Sequence, residues 1–375
     1  MKNRRYNLFE ICNPKQWKTI SIDKLDKNAK YPVYGANGII GYYSEYNHEK
    51  PTLCITCRGA TSGELNITTS YSYINGNTMA LDDLDETKVD INFLYYYLKK
   101  RGFKDVTSGS AQPQITRISL KKINLFLPEL SIQKKVSNLL LLIDDTIKSM
   151  QRKITLLEQL IKSLFTSMFG DIKTNDKNWE ITKFAQIISI LTDYHANGSY
   201  KILKDNVELL DFKDYALMVR TTDLENNNFI QGVKYINEKA YNFLKKTKIF
   251  GGEIIINKIG SAGNIYLMPL LNRPVSLGMN QFMIRLKKEH NNVFYYKLLI
   301  TEYYTNVIKN NVQGAVTKTI TKDAIKNIDI IVPPIELQNK FAERVEKIEK
   351  LSFEIEKSIK EAENLYNSLI NKYFE

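Results

Sequence analysis

The chain has 375 residues, 43% of them hydrophobic, and a formal net charge of +12 at pH 7, which favours two or three domains and excludes a chain that is disordered throughout. The excess of Lys and Arg favours a polyanionic partner, nucleic acid before an acidic membrane surface. Three cysteines and no apolar run near the roughly 20 residues that cross a bilayer predict a cytoplasmic protein without disulfides or a membrane partner.

Residues 1–130 predict a first strand-rich globule. Short apolar clusters alternate there with turn residues such as Gly35-Ala-Asn-Gly38, a pattern typical of strands and hairpins. One helix is predicted over residues 91–100, where the sequence is apolar on nearly every side.

A long helix is predicted over residues 131–169. Apolar side chains recur at intervals of three and four, and no Gly or Pro occurs before Gly170, which is typical of a narrow coiled-coil stripe. Ser131 stands at the expected N-cap. The predicted interface of this helix consists of Val136, Leu139, Ile143, Ile147, Ile154, Leu157 and Ile161.

The second half repeats this plan. A polar linker over residues 170–178 precedes a second strand-rich globule, residues 179–334, and a second long helix, residues 335–375. The predicted interface of that helix consists of Val345, Ile348, Ile355, Ile359 and Leu369. Both stripes are too narrow for a globular core, so we expect an α+β protein whose two long helices pair as an antiparallel coiled coil. The alternative is that each helix folds back on its own globule.

A direct repeat marks the two junctions between globule and helix. Residues 109–136 align without a gap with residues 314–341, and 8 of the 28 positions are identical, against about 2 expected from composition, so the unit is duplicated. The identical pairs are Gly109/Gly314, Ile115/Ile320, Thr116/Thr321, Lys121/Lys326, Ile123/Ile328, Pro128/Pro333, Gln133/Gln338 and Lys135/Lys340.

The motifs of common enzymes are missing. The sequence has neither a phosphate-binding loop of the G-x-x-x-x-G-K-[ST] type nor a G-x-G-x-x-G turn. Cys54-x-x-Cys57 falls on a predicted strand, where residues three apart point to opposite faces and chelate a metal poorly. We therefore predict no catalytic residue, no metal site and no cofactor bound by this chain.

Three passages resemble the DNA-specificity subunits of type I restriction–modification systems. They are residues 31–42 (YPVYGANGIIGY), the strand and Gly-rich turn at residues 55–63 with its counterpart at 252–263, and the junction at residues 108–115 with the Pro and Gln that follow it. The second copy departs from the first: Thr317-Lys-Thr319 replaces Gln112-Pro-Gln114, Lys258 and Ile259 align with Arg58 and Gly59, and residues 191–229 are additional.

The resemblance implies a non-catalytic subunit with two target-recognition domains and two spacer helices. Such a subunit recognises a bipartite, asymmetric site in double-stranded DNA. It directs adenine methylation by two methyltransferase subunits, which bring S-adenosylmethionine, and cleavage where restriction subunits add ATP and Mg²⁺ chemistry. The alternatives are a coiled-coil protein-binding adaptor without DNA specificity and an enzyme with an unrecognised site.

Candidate DNA contacts lie beside Gly-rich or polar turns. Arg and Lys side chains suit phosphates or guanine, and amides suit adenine. The alternative for each residue is a turn-stabilising or solvated polar side chain. The candidates are Asn37, Arg58, Thr61, Gln112, Gln114, Arg117, Lys258, Asn264, Gln281 and Lys318.

Overall fold

The computed structural model describes residues 3–109, 112–314 and 317–374. Four residues of the junction repeat, Ser110, Ala111, Ala315 and Val316, therefore lie outside the described residues. The chain divides into two compact units, one formed by residues 1–154 and 354–375 and the other by residues 155–353. Among the helices described, none is both long enough and apolar enough to span a bilayer.

The first globule is built mainly of short strands. Its strands are β1 Arg4–Asn7, β2 Asn13–Gln16, β3 Tyr31–Gly35, β4 Gly38–Tyr43, β5 Leu53–Thr56, β6 Leu65–Ile67, β7 Tyr73–Ile74, β8 Thr78–Asp82, β9 Thr107–Ser108, β10 Gln114–Ile115 and β11 Asn124–Leu127. Its helices are α1 Ile91–Arg101 and α2 Arg117–Leu120, with short 3-10 turns at Leu8–Glu10 and Ile22–Lys24, and the first long helix follows as α3 Leu130–Phe169.

The second globule has the same kinds of element and additional short helices. Its strands are β12 Glu180–Lys183, β13 Ile188–Asp193, β14 Ala216–Val219, β15 Lys234–Ile236, β16 Lys248–Ile249, β17 Ile254–Asn257, β18 Ile265–Leu267, β19 Val275–Leu277, β20 Gln281–Leu286 and β21 Asp329–Val332. Its helices are α4 Phe184–Ile187, α5 Tyr200–Asn206, α6 Thr221–Glu225, α7 Glu238–Phe243, α8 Asn292–Leu299, α9 Glu302–Asn310 and α10 Lys322–Lys326, with 3-10 turns at Tyr194–Asn197 and Lys245–Thr247, and the second long helix is α11 Ile335–Phe374.

The sheets confirm that the unit is duplicated. The antiparallel sheet β2-β8-β5-β6 corresponds to β13-β20-β17-β18, and the pair β1-β11 corresponds to β12-β21. The smaller sheet β4-β3-β7 corresponds to β15-β14-β19-β16, and each contains one parallel pair, β3 with β7 and β14 with β19. Within the stretch expected to be additional, residues 191–229, the strand β14 and the end of β13 have counterparts in β3 and β2, so only the segments on either side of β14, which contain α5 and α6, are additional.

In the first unit, the start of α3 and the end of α11 share one core with α1. Val136 and Leu140 of α3 and Ile370 and Phe374 of α11 belong to the same buried cluster as Phe93. The ring centroids of Phe93 and Phe374 lie 4.7 Å apart. The beginning of one long helix therefore lies beside the end of the other.

In the second unit, the end of α3 and the start of α11 share a core with α8. The ring centroid of Phe169 lies 4.6 Å from that of Phe294 and 5.4 Å from that of Phe341, and Phe165 and Val345 belong to the same cluster. The long helices thus pair antiparallel, as predicted. Each globule packs on both helices rather than only on the helix that follows it.

One predicted interface residue does not belong to the buried face. Leu139 is 40% exposed, whereas the neighbouring Leu140 is buried. The start of α3 packs on α1 and on the segment before it, so a wide face is buried instead of a narrow heptad stripe. Val136, Ile143 and Val345 are buried, and the partly buried members are Ile147, Ile154, Leu157, Ile161, Ile348, Ile355, Ile359 and Leu369.

The repeated glutamines connect each long helix to the globule before it. The Gln133 amide nitrogen donates to Lys88 O at 2.9 Å and to Pro128 O at 2.8 Å, and its oxygen accepts from Asp90 N at 3.0 Å. Gln338 makes two equivalent contacts in the second unit, donating to the carbonyl of Pro333 and accepting from the amide of Asn291. Asp90 and Asn291 are the N-caps of α1 and α8. In each unit, one buried Gln side chain therefore connects the start of a long helix to the start of a shorter one.

Candidate nucleic-acid interface

The turn after β5 organises the candidate residues of the first unit. Gly59 and Gly63 have φ of +89° and +97°, in the left-handed region that glycine adopts without strain. The amide of Gly59 donates to Pro113 O at 3.1 Å, and Arg58 forms an isolated antiparallel bridge with Gln114. The turn and the junction loop are therefore held side by side by backbone hydrogen bonds.

The junction loop itself requires glycine. Gly109 and Gly314 have φ of +86° and +104°, and a Cβ there would lie 2.5 Å from Gln112 O and 2.2 Å from Thr317 O. No other side chain fits without moving the backbone. This explains the first identical pair of the repeat, and it fixes the loop that carries Gln112 and Gln114.

The tip of the β3–β4 hairpin lies on the same side of the first unit. Asn37 stands in the tight turn between Gly35 and Gly38, which pair with each other, and the Thr56 hydroxyl donates to Ala36 O at 2.7 Å. Asn37 and Thr61 line one groove. A neighbouring groove shares Thr61 with it and is also lined by Gly109 and Pro113 of the junction.

We call the residues gathered here surface 1. Its members are Asn37, Arg58, Thr61, Gln112 and Gln114, all wholly or partly exposed. Within the described part of the chain, none of these side chains has a hydrogen bond or ion pair to another residue. Surface 1 thus presents a guanidinium and three amides whose donors and acceptors are available to a ligand.

Arg117 does not belong to surface 1. Its Nε donates to Pro14 O at 2.8 Å, its Nη2 donates to Asn13 Oδ1 at 2.9 Å, and its guanidinium lies 5.3 Å from the centroid of the Phe9 ring. These contacts connect α2 to β2. The side chain therefore stabilises the domain, and because the residue is also exposed, its contact with DNA stays a prediction.

The strand register corrects the expected counterpart of Arg58. The amide of Gly63 donates to Thr56 O, and that of Gly263 donates to Asn257 O, both at 2.9 Å, so Thr56 corresponds to Asn257. Gly260 has φ of +86°, like Gly59. The Gly-rich turn of the second unit is therefore one residue shorter than that of the first. Its cation, Lys258, stands one residue before the position that corresponds to Arg58.

Ile259, and not Lys258, occupies the place of Arg58. Ile259 forms the isolated bridge with Thr319 that Arg58 forms with Gln114. The prediction that Lys258 is the equivalent cation is wrong, because an ungapped alignment does not place the missing residue of the turn. Lys258 takes the position of Cys57, which is buried.

Lys258 is committed to an ion pair inside the second unit. Its Nζ lies 3.1 Å from Asp193 Oδ2, and Nζ of Lys322 lies 2.8 Å from Asp193 Oδ1. Burial raises the pKa of the Asp193 carboxyl, but the hydrogen bonds from the two ammonium groups outweigh it and hold the pKa below its usual range. The partly exposed Lys258 thus pairs with a buried carboxylate, and sequence reasoning missed Asp193 as its partner.

Gln281 also lies in the interior. Its side chain is 0% exposed; its amide nitrogen donates to Val219 O at 3.0 Å and its oxygen accepts from Thr221 N at 3.1 Å. The residue connects β20 to the start of α6. A base edge cannot reach this amide, so the prediction that Gln281 contacts DNA does not fit the structure.

We call the corresponding face of the second unit surface 2. It consists of Ile259, Asn264, Thr317, Lys318 and Thr319, which are exposed or partly exposed. The first unit has the tight β3–β4 turn, and the second unit has the longer segment 220–233 between β14 and β15 in its place. The Ser261 hydroxyl donates to Glu225 of that segment. The two units thus share a framework and differ in the side chains it presents.

The cysteines form no metal centre with the groups around them. Cys12, Cys54 and Cys57 are all buried free thiols, and burial raises the pKa of Cys57 to about 12. Over the described ranges, no group of three or more His, Cys, Asp or Glu is arranged to hold a metal ion.

Comparison with known proteins identifies a family over most of the chain. The family model described as the type I restriction modification DNA specificity domain matches residues 3–159 and 176–363. The chain is similar to two specificity subunits of Methanocaldococcus jannaschii. The type I restriction enzyme MjaVIII specificity subunit is 24% identical over 323 residues, which are 81% of this chain and 73% of the relative. The MjaIX specificity subunit is 22% identical over 302 residues, 75% and 67% of the two chains.

Solved structures show the same fold. The S subunit of a type I restriction–modification system from M. genitalium has a TM-score of 0.69 to this chain at 16% identity, covering 100% of this chain and 96% of that one. A structure described as addressing complex assembly and conformational transition of the type I system has a TM-score of 0.52 at 11% identity, covering 100% and 97% of the two chains.

Proposed function

This chain belongs to the type I restriction–modification DNA specificity family, since the family model covers both of its halves, and we propose that it selects the target of a methyltransferase. The chain is a specificity subunit: it contributes DNA recognition, and the catalytic activities of such enzymes belong to other subunits. A protein-binding adaptor without DNA specificity is therefore not favoured.

The observation that carries the proposal is the pair of non-identical surfaces on one repeated framework. Surface 1 presents one Arg and three amides, and surface 2 presents Ile, Asn, Lys and two Thr at corresponding or neighbouring positions. Phosphate contacts position a protein on DNA, whereas contacts to base edges specify sequence. Two different sets of side chains therefore support a bipartite target whose halves differ.

The same duplication supports the proposed partners. Each unit has one junction with the same Gly, Pro and Gln contacts, which supports two copies of a methyltransferase subunit, each bringing S-adenosylmethionine and modifying adenine. Where restriction subunits are present, they add ATP and Mg²⁺ chemistry. Double-stranded DNA in the cytoplasm is the substrate of this assembly.

Reconstitution with the partner methyltransferase tests the proposal. We expect the mixture to transfer methyl groups from S-adenosylmethionine to duplexes that carry one split motif, and neither protein alone to do so. Binding of the motif should weaken steeply with salt because bound counterions are released. Methylation or cleavage by the isolated chain would contradict the assignment, as would a mixture that methylates every duplex equally.

A further inference from the structure

We propose that the bridged pair at each Gly-rich turn sets the base content of each half-site: Arg58 and Gln114 hydrogen-bond to purine edges, and Ile259 and Thr319 contact a thymine methyl. This inference rests on the proposed function and goes further, because it assigns a different recognition chemistry to each unit.

The two pairs occupy equivalent places in the fold. Each is an isolated antiparallel bridge between the Gly-rich turn and the junction loop. The amide one residue after the bridge donates to the turn in both units, Ile115 N to Cys57 O at 2.9 Å and Ile320 N to Lys258 O at 3.1 Å. Side chains of directly opposed residues lie next to each other on one face, so each pair offers a single two-residue contact.

The framework around each pair does not depend on these side chains. The turns are held by backbone hydrogen bonds and by glycines in the left-handed region. The Arg58 and Gln114 side chains have no hydrogen-bond partner in the parts of the chain that are described, residues 3–109, 112–314 and 317–374. The fold thus tolerates different residues at this pair, which is what a specificity position needs.

In the first unit, the chemistry suits purines. Arg58 is exposed and Gln114 partly exposed. A guanidinium donates two parallel hydrogen bonds to O6 and N7 of guanine, and a Gln amide pairs with N6 and N7 of adenine. Adjacent on one face, the two side chains suit neighbouring purines in the major groove.

In the second unit, the same place cannot recognise a purine in that way. Ile259 has no donor, and Lys258 is directed to Asp193. Apolar side chains and the Thr methyl instead contact the C5-methyl group of thymine. The comparison also excludes a phosphate anchor made by the same side chain in both units, because the Ile259 side chain has no hydrogen-bond donor.

Exchanging the pairs tests the inference. The full chain carrying R58I and Q114T is combined with its methyltransferase, and the methylated motif is determined from a library of duplexes with randomised half-sites. We expect one half-site to lose its preference for a purine at one or two adjacent positions by about tenfold or more, while the other half-site and the spacer stay unchanged. The reciprocal I259R and T319Q exchange should alter only the other half-site.

Matched controls separate recognition from charge and folding. Arg5→Ile removes an exposed Arg from the same unit and should leave the motif unchanged. Thermal unfolding should give the same midpoint for all variants, because the exchanged residues are at the surface. A folded R58I and Q114T variant with the parental motif would overturn the inference and leave the proposed function intact, as would a change in both half-sites. Absence of any split motif with the parental chain would instead refute the proposed function.

Discussion

Replacing Phe169 with alanine is expected to lower the free energy of unfolding of the second unit by about 3–5 kcal/mol. The ring is fully buried and lies between the rings of Phe165, Phe294 and Phe341. Its removal leaves a cavity where α3, α8 and α11 meet, in a core too densely packed to close around it. At temperatures near its lowered unfolding midpoint, the variant should therefore also lose selective methylation.

Urea unfolding followed by Trp179 fluorescence measures this effect. The indole centroid lies 6.5 Å from that of Phe169, and a Trp17→Phe background removes the signal of the first unit. Phe353→Ala is the matched control, because Phe353 is 64% exposed and its loss should cost less than about 0.5 kcal/mol. Equal shifts for the two alanine variants would contradict the packing described for the helix pair.

Replacing Gln133 with leucine is expected to destabilise the first unit by about 1–3 kcal/mol. Two carbonyl groups and one amide lose their partner together. The buried carbonyl of Pro128 carries most of this cost, because the Lys88 carbonyl and the Asp90 amide are only partly buried. Leucine has a similar volume, so the loss comes from hydrogen bonding and not from a cavity.

Hydrogen exchange of the Asp90 amide reports this change directly, together with the urea midpoint followed by Trp17. Gln112→Leu serves as the control, because that side chain is exposed and should leave both readings unchanged. If Gln133→Leu unfolds at the parental urea concentration, the buried amide does not connect α3 to the globule as described.

Much of the architecture is predictable because its signals are local. The long helices begin at Leu130 and Ile335, each within one residue of the expected start, since Pro and apolar periodicity mark such boundaries. The repeated Thr116 and Thr321 are N-caps of α2 and α10. Residues that are identical in the two copies of the junction thus include ones that its structure requires.

The site was less predictable because it depends on register and burial. A gap of one residue within a turn leaves no mark on composition, so an ungapped alignment places Lys258 opposite Arg58, whereas the backbone bridge places Ile259 there. Aligning Gly260 with Gly59 would have located the gap. The burial of Gln281 depends on contacts with Val219 and Thr221, which are distant in sequence and cannot be deduced from a strand pattern.

Sequencing of adenine methylation in host DNA, with and without this chain, tests the central claim most directly. We predict that methylation at one motif disappears when the chain is removed, and that this motif has two different half-sites separated by a fixed number of unspecified bases. Methylation that persists unchanged, or a chain-dependent motif that is continuous or has two identical halves, would contradict the account of two unlike DNA-binding surfaces on one repeated framework.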